Sequence, residues 1–110
     1  MINQYKPYDI GIWLDFLNAN VVSDEKGLWL SKFNLSSEKD VRYLIDVWLR
    51  PEYLKWDELN RREMREVLEE SKKWKLADLR EQFDDAGLDG EDGPENIEIF
   101  LDLLREAFPV

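Results

Sequence analysis

The chain contains no cysteine, no histidine and no threonine. Without cysteine there is no disulfide, no thiol nucleophile and no thiolate metal site, and without histidine the side chain that titrates nearest neutrality is missing. No run of about 18 uncharged apolar residues occurs, so a membrane-spanning helix is not expected. The start, Met1-Ile2-Asn3-Gln4-Tyr5-Lys6-Pro7, leads into an apolar patch broken by Asp9 and Asp15. No signal peptide is therefore expected, and the expected compartment is the cytoplasm, which suits a chain without cysteine. Catalysis would fall to carboxylates, Tyr, Lys, Arg or the five serines. Asp15, Asp40 and Asp46 sit on amphipathic stretches where a solvated face accounts for them, so a non-enzymatic protein needing no cofactor is the expectation.

What is present is a chain of 110 residues, 44% hydrophobic and 13% aromatic, enough for one globular domain over residues 1–110 that hides roughly two-thirds of its unfolded surface. Helical periodicity dominates. Ile10, Trp13, Leu14 and Leu17 share a face after Asp9, a candidate N-cap, and this segment should end near Asn18 to Asn20. Residues 21–35 read either as two short strands, Val21-Val22 and Leu28-Trp29-Leu30, or as an irregular loop tucked onto the core. Ser37-Glu38-Lys39-Asp40 offers a capping-box-like start to a second helix with Val41, Leu44, Ile45, Trp48 and Leu49 on its core face and Pro51 as its stop. Asp57 caps a third helix with a narrow stripe, Met64, Val67 and Leu68, and Glu58 to Arg62, Arg62 to Glu66 and Glu69 to Lys73 pairs on its outer side.

At about 100° per residue that stripe points roughly 90° away from Leu76, Leu79 and Phe83. A bend near Ser71 to Lys75 is predicted, then a fourth helix from Leu76 to Ala86 with Gly87 at its C′ position. A loop through Gly93 follows, and Pro94 fits the first turn of a fifth helix whose apolar face is Ile97, Phe100, Leu101, Leu104 and Phe108. The fold class predicted is an all-α bundle of about five helical segments. Of the five tryptophans, Trp13 and Trp48 fall on core faces, Trp29 packs the irregular segment down, and Trp56 and Trp74 fall off the apolar stripes.

Charge is distributed unevenly. Residues 1–77 hold 13 basic and 14 acidic side chains, whereas residues 78–110 hold 2 basic and 11 acidic, nine of the ten net negative charges. Direct binding to nucleic acid or to an anionic membrane is disfavoured, and a cationic partner fits. On the last helix Glu95, Glu98, Asp102 and Glu106 fall within about 80° of one another as a ridge, with Ile99 and Leu103 beside it. Like charges three and four apart repel, and Glu106 stands at the negative end of the helix dipole, so stability alone would place lysines here. Asp84, Asp85, Asp89, Glu91 and Asp92 extend the acidic surface. They do not make a calcium loop: a start at Asp85 puts Gly87 at position 3 and Asn96 at position 12, where oxygen ligands and a glutamate belong. Gly87, Gly90 and Gly93 lack the spacing and the lysine of a phosphate loop.

A small, acidic, cysteine-free helical domain with Asp84-Asp85, Asp89, Glu91-Asp92, Glu95, Glu98 and Asp102 on one side resembles bacterial immunity proteins, which bind and neutralise toxins, often cationic nucleases. The resemblance implies inhibition by occlusion, an acidic face set against a basic cleft. The expected contact residues are Asp84, Asp85, Asp89, Glu91, Asp92, Glu95, Glu98 and Asp102 for steering, with Ile99, Leu103 and Trp56 for desolvated contact. A nucleic-acid mimic would use the same carboxylates, and an adaptor or homo-oligomerisation domain would use the apolar side chains instead.

Overall fold

The computed structural model describes residues 5–17, 25, 29–30, 32–88, 90 and 93–109. It is all-helical, with runs α1 (7–17), α2 (38–54), α3 (Glu58–Glu70), α4 (Leu76–Asp85) and α5 (Ile97–Ala107), and no strand occurs among the described residues. No helix among them is long and apolar enough to cross a membrane.

α1 starts earlier than its apolar pattern suggests. Pro7 occupies the first turn, where its preset φ and missing N–H cost nothing, and Asp9 accepts the Lys6 N–H at 2.7 Å. Asp9 is thus a residue inside the first turn and not the N-cap. Ile10, Trp13, Leu14 and Leu17 are buried as expected. Of the segment over 21–35, Trp29 and Leu30 are helical, which removes the second expected strand, while residues 21–24, 26–28 and 31 lie outside the described residues. Trp29 packs the segment down through ring contacts with Phe33 (4.9 Å) and Trp48 (6.0 Å).

α2 runs through Pro51 to Leu54, where a stop at Pro51 was expected. Proline lacks the N–H that an α-helix needs and its ring presses on the carbonyl four residues back. Here Ile45–Leu49 widens to a π-helix, with the Arg50 N–H reaching back to the Ile45 carbonyl, so the chain enters Pro51 from a looser turn. The widening has a second effect. A repeat of four drifts round an ordinary α-helix, and the wide turn absorbs that drift, keeping Val41, Ile45, Leu49 and Tyr53 all buried. Ser37 caps α2 by accepting the Asp40 N–H at 3.4 Å, but Asp40 does not complete the box: its carboxylate accepts the Asn34 N–H at 2.8 Å and holds the preceding turn.

Asp57 caps α3, accepting the Asn60 N–H at 2.8 Å. The bend between α3 and α4 is a 3-10 turn, Ser71–Lys73, followed by extended Trp74. Because residues three apart eclipse in such a turn, the outer ion pairs form as Lys72 to Glu69 and Lys73 to Glu70, both at 2.9 Å, in place of Glu69 to Lys73. α4 ends in a Schellman motif: Leu88 N–H donates to the Phe83 carbonyl (2.8 Å) and Gly87 N–H to that of Asp84 (3.0 Å), with Gly87 at φ 75°. Leu76 is exposed and not part of the core.

α5 begins at Ile97 behind an Asn96 cap, so Pro94 and Glu95 precede the helix and Pro94 is not in its first turn. α5 packs against α2, α3 and α4. Its Phe100 meets Phe83 edge-on at 5.7 Å, and Phe108 lies 4.8 Å from the rings of both Trp13 and Tyr53. Trp13 donates its Nε1–H to the Met64 carbonyl at 2.8 Å, joining α1 to α3. The Glu95 N–H donates to Ser36 Oγ at 2.8 Å, which pins the approach to α5 beside the approach to α2.

At the C-terminal end of α3, Arg105 performs the cap. Its Nε donates to the Leu68 carbonyl (2.9 Å), Nη2 to Ser71 Oγ (2.6 Å) and Nη1 to Asp102 (2.7 Å). Ser71, 1% exposed, donates a hydrogen bond from its hydroxyl to the same Leu68 carbonyl. A cation is thereby held where unpaired carbonyls and the helix dipole favour one.

Candidate protein-binding surface

The expected ridge on α5 divides into two unlike parts. Glu98, Asp102 and Glu106 are exposed on α5, as the periodicity requires, and Glu95 is exposed just ahead of it. Asp102 is engaged by Arg105, and Glu106 lies 3.5 Å from Arg42, which also donates to Glu38 at 3.1 Å. The hydrogen bond to Glu38, reinforced by the charge of Glu106, holds the Arg42 guanidinium above its ordinary pKa. The repulsion expected along the C-terminal half of the ridge is therefore answered by two arginines. One of them is on another helix, which a single-helix reading does not see.

The N-terminal half is different. Glu95 and Glu98 pair with no cation among the described residues. Ile99 stands beside them, 54% exposed. Leu103 does not: at 7% exposure it belongs to the core, because α5 packs against three helices and its apolar face is wider than the five residues first assigned to it. Leu103 is thus removed from any contact surface.

Two further acidic residues of the expected surface lie on a different helix. Asp84 and Asp85 are exposed in the last turn of α4. Asp85 lines a cleft of about 290 Å³ between α1 and α4, together with Asp9, Asp15, Tyr8 and Gln82. Asp9 and Asp15 extend the acidic surface beyond the last third of the chain, and only the docking of α1 against α4 brings them to Asp85. Asp89, Glu91 and Asp92 lie outside the described residues. Glu95 lines a broader hollow of about 530 Å³ with Lys32, Phe33 and Ser36. No group of three or more acidic side chains that could hold a metal ion occurs among the described residues.

Trp56 is exposed, as expected, in the turn between α2 and α3. Leu54 and Leu59 are exposed around it, giving three apolar side chains in six residues. The sequence signal for them was available: both leucines fall off the core stripes of their helices. Trp74 packs against the core instead of standing free.

Comparison with protein-family models, with curated proteins and with solved structures finds no match for this chain.

Proposed function

We propose that the chain is a protein-binding inhibitor, of the immunity-protein or antitoxin kind, that neutralises a basic partner such as a nuclease toxin by binding and without catalysis. The observation that carries this reading is the exposed Ile99 beside Glu98 and Glu95, an apolar side chain framed by two carboxylates that form no ion pair among the described residues. Such a patch supplies both parts of a tight encounter: charges that steer a cation in, and an aliphatic group that is desolvated on arrival. Asp102, Asp84 and Asp85 add long-range field without being required at the contact.

The test is a pull-down from the native source, washed at rising salt, with the retained protein identified by mass spectrometry and its activity assayed with and without the chain. The reading requires one stoichiometric basic protein whose activity is lost on binding and whose capture falls with salt and with Glu98→Lys. Capture that is insensitive to salt and to that substitution, or that leaves the partner's activity intact, overturns it.

A second reading rests on Leu54, Trp56 and Leu59, whose grouping suits an adaptor or homo-oligomerisation surface. It predicts a concentration-dependent mass by light scattering that Leu59→Lys abolishes. A mass that stays monomeric at all concentrations removes the homo-oligomer form of this reading.

A further inference from the structure

The cleft between α1 and α4 has four properties that bear on one kind of occupant. Asp9, Asp15 and Asp85 stand around it and no lysine or arginine lines it. They come from two helices and are too dispersed to hold a metal ion, so the negative charge is spread round the mouth and not focused on a point. The last turn of α4 contributes Asp85 and Ala86, which places the negative end of a ten-residue helix at the same opening. Tyr8, 77% exposed, provides an aromatic face at the rim.

Size and floor decide between cations. At about 290 Å³ the cleft has room for on the order of ten waters, far more than a bare ion needs. Gly11 lies in its wall, and a Cβ built there would meet nothing within 4 Å. The cleft is therefore deepened by a missing side chain, and Ile12 beside it offers an apolar surface to an alkyl stem. We infer that this cleft receives a single arginine or lysine side chain of the basic partner, its stem along Ile12 and Gly11 and its charged head among Asp15, Asp85 and the ring of Tyr8.

The inference rests on the reading of a cationic partner, yet it can be tested without that partner. The probe is Nα-acetyl-arginine methylamide, with the matching citrulline derivative as the uncharged control, titrated into the whole chain and followed by amide NMR shifts. Saturating shifts at Gly11, Ile12, Gln82 and Ala86 with the arginine probe, absent with the citrulline probe, are expected. Asp85→Asn and Asp15→Asn should each weaken binding at least threefold, and Gly11→Leu should abolish it while the chain still unfolds cooperatively. Glu58→Gln removes one charge elsewhere and should change the affinity by less than twofold.

Shifts that map outside the cleft, that are equal for both probes, or that fall equally with Glu58→Gln and Asp85→Asn would overturn the inference. The last result would mean that the cation follows net charge alone. Failure here with a salt-sensitive partner still captured through Glu98 would leave the inhibitor reading standing and remove the cleft from it. Binding of the probe with no partner captured would do the reverse.

Discussion

Removing Arg105 should cost far more stability than removing the acid it is paired with. The Arg105 side chain is 13% exposed and makes two hydrogen bonds to the C-terminal end of α3, whereas its third partner, Asp102, is 71% exposed. A charge-assisted hydrogen bond in such a setting contributes about 1.5–3 kcal/mol, and a cation at a partly buried helix C-terminus up to about 2. These overlap and do not add. When Arg105 is replaced by alanine, the Leu68 carbonyl keeps its bond from Ser71 Oγ, so the group left without its donor is the buried Ser71 hydroxyl. The expected loss is therefore about 2–3 kcal/mol, or roughly 10–15 °C in Tm for a domain of this size.

Asp102→Ala removes only an exposed ion pair, for which about 0–1 kcal/mol is usual. Thermal and urea unfolding followed by circular dichroism measure both. In 0.5 M salt the Asp102→Ala effect should vanish and the Arg105→Ala effect persist, because screening reaches the surface pair and not the buried contacts. Equal losses for the two variants, or an Arg105→Ala loss below about 1 kcal/mol, would refute the account of Arg105 as the cap of α3. A double-mutant cycle with Ser71→Ala should show coupling of about 1 kcal/mol.

Three further predictions concern the backbone and one phenol. Gly11→Ala should raise stability by about 0.5–1 kcal/mol in urea unfolding, since Gly11 has ordinary helical φ and open space for a Cβ. Gly87→Ala should lower it by about 1–2 kcal/mol, because φ of 75° at the end of α4 suits glycine alone. The Tyr5 hydroxyl donates to Glu66 at 3.3 Å, and burial, with the charges of Glu66 and Glu63, raises its pKa above the ordinary phenol value of 10.0. The folded state then holds a proton that the unfolded state loses. The stabilisation is complete below pH 10 and is lost as pH rises through the folded value, so Tyr5→Phe should flatten the alkaline fall in stability measured by urea unfolding.

How legible the fold was depended on whether a feature is local. The Asp57 cap, the Gly87 terminator and the bend after Glu70 each announce themselves within a few residues, through a side-chain acceptor, a tolerated positive φ or a turned apolar stripe. The passage of α2 through Pro51 does not. It depends on a π turn that trades regular hydrogen bonding for keeping Tyr53 in register with Val41, Ile45 and Leu49, where Tyr53 packs on Trp13 and Phe108 and accepts a hydrogen bond from Arg65. Arg105 is likewise unremarkable in sequence. Its role comes from Leu68 and Ser71, more than thirty residues away. Of the candidate contact residues, exposure was legible for Glu98, Ile99 and Trp56, but Leu103 was covered by neighbouring helices and Asp85 was drawn to Asp9 and Asp15 by the docking of α1.

This division of the acidic surface yields a sharper test of the inhibitor reading than charge counting does. If the carboxylates serve solubility and a general field, reversing any exposed one should slow association with a basic partner by a similar factor, set by net charge and erased by salt. If Glu98 and Ile99 form the contact, the two substitutions should separate kinetically. Glu98→Lys should lower the association rate about tenfold or more at low salt, while Ile99→Ala should leave that rate within about twofold and speed dissociation, since aliphatic contact forms only after encounter. Glu81→Lys, an equal reversal on the exposed side of α4, is the reference. Surface plasmon resonance with the captured partner resolves both rates. Equal slowing by Glu81→Lys and Glu98→Lys, with no change in dissociation for Ile99→Ala, would assign the acidic surface to solubility and leave Leu54, Trp56 and Leu59 as the better contact.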